Sequence, residues 1–263
     1  MANAHPNQKR TAASTPPTPG TAVTARALAL LGSFDSAHPK LTLSEMARRA
    51  HLPVATAHRL IAELLAWGAL ERAGQDYVIG HRLWQLGLLA PVNQNIAELA
   101  APYMQDVLFV TQNVVNLFIL DGNKVLLLER ISGTRSGAPF LRVGEHLPLH
   151  ASAAGKVMLA FGDQSLWDTA SVAIEKLTEH TISSPQQLRS EVDKVRERGY
   201  ATTSQEAGIG NYGIAVPIIA PDGSCRAALG VVTQERAAPV GSVVPVLRIA
   251  ARSIARRVSL GRS

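Results

Sequence analysis

Cysteine and long apolar runs are scarce in this 263-residue chain, and both absences exclude classes of protein. The single cysteine, Cys225, cannot form an intrachain disulfide, so nothing in the sequence calls for an oxidising compartment. No run approaches the roughly 20 apolar residues that a membrane-spanning helix needs. The N-terminus lacks the apolar core of a signal peptide. Together these absences predict a cytoplasmic protein.

The overall composition is that of a protein with a substantial core. Hydrophobic residues make up 46% of the chain and charged residues 17%, and the length suggests one large domain or two smaller ones. The formal net charge of +6 permits binding to a polyanion without identifying it. Residues 1–20 are rich in Pro, Thr, Ala and Asn and have no periodic apolar pattern. They predict a disordered arm.

Apolar residues at helical spacing then predict three short helices. The first stripe spans residues 23–34, and the second spans 43–50 and is opened by Thr42. After a turn at Leu52-Pro53, with Pro53 suited to the first helical position, a third stripe follows at Ala57, Leu60, Ile61, Leu64 and Leu65 and ends at Gly68.

Two short strands around Gly74-Gln75 follow the third helix and predict a hairpin. Three helices and a hairpin in this order are typical of a winged helix-turn-helix. The second helix of that motif, here the third helix of the chain, lies in the major groove of DNA. The apolar stripe of this third helix faces the core, so its polar residues face outward. Basic residues lie on either side of the helix in the sequence. The predicted DNA contacts are Arg48, Arg49, Val54, Ala55, Thr56, His58, Arg59, Arg72 and Gln75. The alternative is a helical hairpin with a solvated polar face.

The rest of the chain mixes helices and strands, which predicts an α+β domain. A helical stripe from Asn93 onward resembles a connecting helix, which Pro102 should kink or divide. A hairpin follows around Asp121-Gly122, then a helix of small residues in "HASAAGKVMLAF". Another helix is opened by Ser184-Pro185, and a second hairpin and a final helix complete the chain.

Three ordered blocks carry a resemblance to the IclR family of bacterial transcriptional regulators. "LTLSEMARRAHLPVATAHRLIAELLAWGALER" with "YVIGHRLWQLG" resembles its winged-helix segment. "LPLHASAAGKVMLA" and "GYATTSQEAGIGNYGIAVPI" resemble blocks of its effector domain. The resemblance implies a sensor domain of mixed α/β structure related to the GAF fold. It also implies homodimers, often paired into tetramers, on palindromic operators.

Pattern and resemblance together divide the chain into four segments. These are a disordered arm at 1–20, a winged helix-turn-helix at 21–88, a linker helix region at 89–110, and an effector-binding and oligomerisation domain at 111–263.

The resemblance also implies an effector pocket in the second domain. Its lining would comprise Leu147, Ala153, Ala154, Thr203, Asn211, Gly213, Gly230 and Val232. Family members that bind small keto acids tend to have cysteine or serine where this chain has Gly213, Gly230 and Val232. We therefore expect a roomier, more apolar pocket that suits an aromatic or larger organic acid. The alternative is that these small residues serve sheet–helix packing alone.

Two departures from the family pattern concern the DNA-binding segment. His51 stands at a turn where the family usually has glycine, so a positive φ there would strain the histidine. Val54-Ala55 replaces the Lys-Ser often found after the proline, and the operator sequence therefore does not carry over.

The sequence gives little support for a phosphate-binding loop or a metal site in the second half of the chain. "SAAGK" lacks the spacing of a phosphate-binding loop, and Lys156 is expected to reach solvent from its helix. His146 and His150 have a helical metal-ligand spacing, but Pro148 between them predicts a loop and a structural role. The sequence predicts no cofactor, no metal and no catalytic set.

The preferred hypothesis is a ligand-responsive, sequence-specific DNA-binding regulator, specifically a repressor, that binds a small organic acid. One alternative is a small-molecule-binding protein or enzyme with an accessory basic helical domain. Another is a non-specific nucleoid-type DNA binder, whose affinity would depend steeply on salt and hardly on sequence.

Overall fold

The computed structural model describes residues 22–89, 94–133, 141–172, 174–220, 222–233 and 240–260. The chain divides into two compact units, residues 1–92 and 93–263. The predicted disordered arm lies outside the described residues.

The first unit contains the predicted three helices and hairpin, followed by one more short helix. Its elements are α1 (Val23–Leu31), α2 (Leu43–Arg49), α3 (Val54–Trp67), β1 (Leu70–Ala73), β2 (Asp76–Ile79) and α4 (His81–Gly87). Strands β1 and β2 pair antiparallel around Gly74-Gln75. The helices bury one apolar cluster that includes Leu30, Met46, Ala57, Leu60 and Ile61. This is the winged helix-turn-helix that the periodicity predicts.

The start of α2 is held by reciprocal hydrogen bonds between Thr42 and Glu45. The Glu45 backbone N–H donates to Thr42 Oγ1 at 3.3 Å, and the Thr42 backbone N–H donates to Glu45 Oε2 at 2.8 Å. This capping box satisfies two backbone donors that a helix start otherwise leaves unpaired. It makes Thr42 the beginning of α2, as the sequence predicts.

The turn between α2 and α3 closes with two hydrogen bonds in the Schellman arrangement. The His51 N–H donates to the Arg48 carbonyl at 3.2 Å, and the Leu52 N–H donates to the Ala47 carbonyl at 2.9 Å. This arrangement puts the residue after the cap in the left-handed region, and His51 has a φ of +54°. The position therefore does favour glycine, and the histidine is strained there.

The second unit is an antiparallel sheet between two layers of helices. Its elements are α5 (Gln94–Thr111), β3 (Val114–Asp121), β4 (Lys124–Ile131), β5 (His146–Pro148), α6 (Ala153–Phe161), α7 (Gln164–Ala170), α8 (Pro185–Arg198), β6 (Ala201–Ser204), β7 (Tyr212–Ile219), β8 (Cys225–Thr233) and α9 (Val240–Leu260). The strand order is β5-β4-β3-β8-β7-β6. This is the α+β architecture expected from the sequence.

Alternate residues of each central strand point to opposite helix layers. Val115, Leu117 and Val231 belong to a cluster with α5 and α9. Phe118 and Ala215 belong to a second cluster with α6, α7 and α8, and we call this side of the sheet the α6 face. The period of two along each strand thus assigns every intervening residue to one face or the other.

Helix α6 is buried along its length, which corrects one prediction. Every residue from 153 to 160 is buried, because the helix is packed between the sheet and α8. Lys156 therefore does not reach solvent, and 1% of it is exposed. Gly155 allows this packing, since a Cβ on it would lie 2.3 Å from the Leu149 carbonyl oxygen.

Four other local predictions need correction. Pro53 precedes α3 as its N-cap, with an extended ψ of 140°, and does not occupy the first helical position. Pro102 lies inside α5 and does not divide it, and the alternative of a kink stays a prediction. The β3–β4 loop consists of Gly122 and Asn123, because Asp121 pairs with Lys124. The segment His146–Pro148 pairs with β4 as an edge strand and is not a loop.

Within the part of the chain that the structure describes, the longest helices carry too many charges or too little apolar character to cross a bilayer.

Candidate functional site

Helix α3 exposes the side on which the sequence places its DNA contacts. Ala57, Leu60 and Ile61 are buried, while His58 and Arg59 are exposed and Thr56 is half-buried. Val54 and Ala55 are exposed at the start of the helix. The first two turns therefore present one polar and one small apolar patch outward, as a major-groove reading helix must. Direct contact with DNA stays a prediction for each of these residues.

The two arginines at the end of α2 have different surroundings. Arg48 is exposed, whereas the Arg49 guanidinium donates to the Ser33 carbonyl oxygen at 2.6 Å and forms an ion pair with Asp35. Burial acts to raise the pKa of Asp35, but hydrogen bonds from His38 and Arg49 outweigh it and lower the pKa. Arg49 thus holds the loop after α1 to α2, and Arg48 is the freer of the two for a phosphate.

The β1–β2 hairpin presents Arg72 and Gln75 to solvent. The Arg72 guanidinium lies 5.2 Å from the centre of the Tyr77 ring, and Gln75 sits in the turn. At the base of the hairpin, His81 Nδ1 lies 2.8 Å from Glu71 Oε1. Hydrogen bonds from His81 lower the pKa of Glu71. The hairpin tip is therefore polar and accessible, as a wing requires.

Five of the predicted effector residues converge on the α6 face of the sheet. Thr203 pairs with Gly213, and Gly213 pairs with Val232. A Cβ on Gly213 would lie 2.6 Å from Thr203 Oγ1 and 3.5 Å from Ala153 Cβ. Gly230 lies on the same face, where a Cβ would stand 2.9 Å from the Ile214 carbonyl oxygen. We call Ala153, Thr203, Gly213, Gly230 and Val232 together the cradle.

The other predicted effector residues lie around the cradle or farther away. Ala154 is buried in α6 beside Ala153. Asn211 precedes β7, and its carbonyl oxygen accepts from the Gln205 N–H at 2.8 Å. Leu147 lies on edge strand β5, which β4 and β3 separate from β8. The structure therefore brings Leu147 to the same apolar cluster but not to the cradle.

Sequence reasoning overlooked Asn116 at the cradle. Asn116 pairs with Gly230 across the β3–β8 ladder and points to the α6 face, because its neighbours Val115 and Leu117 point to the other. It is 4% exposed, and its Oδ1 has no hydrogen-bond partner among the described residues. Buried amides are normally satisfied. The polar residue in the apolar run "VVNLFIL" was the available signal.

Sequence reasoning also overlooked a buried ion pair. Lys156 Nζ lies 2.7 Å from Glu206 Oε1, and the two residues are 1% and 8% exposed. Burial raises the pKa of Glu206, while the adjacent ammonium acts to lower it. The two residues are 50 positions apart, so no local spacing could have revealed the pair.

Two further features lie away from the cradle. An open groove of about 650 Å³ runs along α8, and the described residues that line it belong to α7, α8 and no cradle strand. The Arg189 guanidinium lies 4.5 Å from the centre of the Trp167 ring at this groove. Cys225 is buried in β8, and burial raises its pKa to about 12, which keeps the thiol protonated and unreactive.

The two histidines with metal-ligand spacing point to different partners. His146 Nε2 lies 2.7 Å from Asp121 Oδ2, and the buried His150 has Nε2 2.8 Å from the Glu175 carbonyl oxygen. Within the described residues, no group of three or more His, Cys, Asp or Glu side chains is placed to hold a metal ion.

Comparison with known proteins matches both units to models of one family. Residues 90–259 match "Bacterial transcriptional regulator IclR C-terminal", and residues 23–74 match "IclR helix-turn-helix domain". The chain is similar to the HTH-type transcriptional regulator BhcR of Paracoccus denitrificans, with 30% identity over 73% of this chain and 70% of the relative. It is also similar to KdgR of Dickeya chrysanthemi, with 27% identity over 68% of this chain and 60% of that relative.

Among solved structures, the chain resembles an IclR homolog of Microbacterium hydrocarbonoxydans crystallised with 4-hydroxybenzoate. The TM-score is 0.83 at 31% identity, and the match covers 90% of this chain and 99% of that one. The relatives are regulators with a helix-turn-helix domain, which agrees with the exposed α3 and excludes the enzyme alternative.

Proposed function

The chain belongs to the IclR family of bacterial transcriptional regulators, and from that premise we propose that it is a cytoplasmic repressor which binds a palindromic operator as a homo-oligomer. It is a DNA-binding regulator with an effector-binding domain rather than an enzyme. The observation that carries the proposal is the exposed polar side of α3 on a buried apolar stripe.

A two-fold assembly supplies what one reading helix lacks. A single helix contacts too few base pairs for useful specificity, whereas a dimer reads two half-sites about 34 Å apart. In this proposal Thr56, His58 and Arg59 contact bases or phosphates, and Ala55 contacts a thymine methyl group. Arg48 and the hairpin residues Arg72 and Gln75 contact the DNA backbone. Val54 packs against the wall of the major groove of the DNA. Arg49 holds α2 to the loop after α1 and so positions the residues that contact DNA.

The effector in this proposal is a small organic acid of aromatic type, held at the cradle. In this proposal the small side chains of Ala153, Ala154, Gly213 and Gly230, together with Val232, give the ring its apolar contacts. Thr203 and Asn211 add polar groups at the rim. The Microbacterium relative bound to 4-hydroxybenzoate supports this chemical class. The effector would favour one dimer geometry and so shift the population that matches the operator spacing.

The first test is binding of the full chain to the DNA upstream of its own gene, against scrambled DNA of equal length in moderate salt. Arg59→Ala should lower the specific affinity by about tenfold to a hundredfold, the range for loss of one good base contact. Arg252→Ala is the matched control, because it removes an exposed arginine from α9. We expect it to change specific affinity little.

Equal loss in both variants would show that net charge governs binding, and the reading-helix assignment would then be wrong. An effector of the proposed class should in turn weaken operator binding. Unchanged operator affinity in the presence of saturating, demonstrably bound effector would contradict the switch.

A further inference from the structure

The Lys156–Glu206 pair is an incompletely satisfied polar site in the interior of the second unit. Lys156 Nζ has three N–H donors, and among the described residues its hydrogen-bond partner is Glu206 Oε1 at 2.7 Å. Glu206 Oε2 is buried and has no partner among those residues. Two N–H donors and one carboxylate oxygen of this pair therefore find no partner within the described part of the chain.

An incompletely satisfied buried ion pair lowers the stability of the folded state. Removing both charges from water carries a penalty that one contact rarely repays, and the remaining lone pairs and protons need partners as well. Burial raises the pKa of Glu206 despite the adjacent ammonium, which agrees with a carboxylate short of stabilising contacts. A group that both accepts and donates hydrogen bonds would complete the site.

The pair lies beside the cradle rather than in a separate part of the unit. Lys156 follows Ala153 by three residues on α6, so the two side chains share a face of the helix. The Ala153 Cβ in turn lies 3.5 Å from the position that a Cβ on Gly213 would take. A ligand resting on Gly213 and Ala153 therefore lies within one helical turn of the Lys156 side chain.

Glu206 is held in place by its own loop and by a neighbouring segment. Its carbonyl oxygen accepts from Thr181 Oγ1 at 2.6 Å, and the preceding carbonyl, of Gln205, accepts from Thr178 Oγ1 at 2.8 Å. The Gln205 side chain closes the loop by accepting from the Gly210 N–H at 2.9 Å. The backbone that carries the Glu206 carboxylate is therefore held before any ligand binds, which lowers the entropic cost of binding.

We propose that Lys156 and Glu206 together bind a hydroxyl group of the effector, which makes the effector a hydroxylated organic acid. The hydroxyl oxygen accepts a hydrogen bond from the Lys156 ammonium, and the hydroxyl proton is donated to Glu206 Oε2. A carboxylate in the same place would accept from Lys156 but repel Glu206. This assignment rests on the proposed function, because it takes the cradle to be the effector site.

The test compares ligands that differ at one position. Calorimetry on the full-length protein would measure binding of 4-hydroxybenzoate and of 4-fluorobenzoate, in which fluorine fills a similar space but donates no hydrogen bond. We expect the wild type to bind the hydroxy acid at least about tenfold more tightly, the ratio for one hydrogen bond to a charged group. This comparison needs no variant and does not depend on the folding of one.

A variant then assigns the preference to the pair. Glu206→Gln should bring the two affinities to within about twofold of each other. With its amide oxygen on the Lys156 ammonium, glutamine places an N–H donor where Glu206 Oε2 would accept the hydroxyl proton. Asp193→Asn is the matched control, since it makes the same chemical change at an exposed ion pair with Arg196 on α8. It should retain the full preference.

Equal affinity of the wild type for the two acids would overturn the proposal, as would a Glu206→Gln variant that keeps the preference. Binding of neither acid by protein that still binds its operator would also refute it, and the DNA-binding function would stand. Loss of operator binding in the wild type would instead count against the proposed function.

Discussion

Replacing His51 with glycine should stabilise the helix-turn-helix, because His51 has a φ of +54°. A left-handed conformation costs an ordinary residue about 1 to 2 kcal/mol, and glycine avoids that cost. Glycine loses more backbone entropy on folding, which offsets about 0.5 to 1 kcal/mol of the gain. The net stabilisation is therefore about 0.5 to 1 kcal/mol. The side chain is exposed, so its removal opens no cavity.

Hydrogen exchange on the full-length protein would measure this effect where it arises. A gain of that size corresponds to about twofold to fivefold slower exchange of the most protected amides in α2 and α3. Amides of α8 in the second unit provide an internal reference. His51→Ala is the matched control, because alanine keeps a Cβ and with it the strain. It should exchange like the wild type.

Exchange as fast in His51→Gly as in His51→Ala would refute the reasoning. It would mean that the Schellman turn relaxes around the histidine at no cost. Faster exchange in the glycine variant alone would mean that the unfolded-state entropy outweighs the relieved strain.

Two further substitutions test other contacts. Arg49→Met should lower the free energy of unfolding of the first unit by about 1 to 2 kcal/mol in urea titrations, because it removes a partly exposed ion pair with Asp35 and a bond to the Ser33 carbonyl. The fold lowers the pKa of Asp35 from 3.8, so the stabilisation by Asp35 is present above that pH and is lost as the pH falls through the lower folded value. The difference in the free energy of unfolding between wild type and variant should therefore shrink at low pH. A difference that stays constant with pH would contradict the ion pair. Asn116→Leu should raise the midpoint of thermal unfolding, since it removes a buried amide oxygen that has no partner among the described residues, at a cost of about 1 to 3 kcal/mol. A lower midpoint would mean that this oxygen is satisfied in the folded protein.

Local signals predicted most of the secondary structure. Thr42 with Glu45 three residues later predicts the start of α2, and Gly68 predicts the end of α3. In the structure Gly68 has a φ of +84°. Ser184 and Gly199 bound α8 in the same way. These features depend on neighbouring residues in the chain, so a single sequence contains them. The errors at Pro53 and in the β3–β4 loop are shifts of one residue, which periodicity does not resolve.

The sequence by itself determined the order of helices and strands and the residues that α3 turns outward, because both follow from apolar spacing and capping chemistry over a few positions. Tertiary structure alone decided the surroundings of Lys156, Glu206 and Asn116. Lys156 has the sequence context of a solvated helix residue, but α8 and the sheet enclose α6 and leave 1% of Lys156 exposed. Its partner Glu206 is 50 residues away, and Asn116 meets Gly230 only through the β3–β8 register. Long-range packing sets these contacts, and packing depends on the whole chain at once.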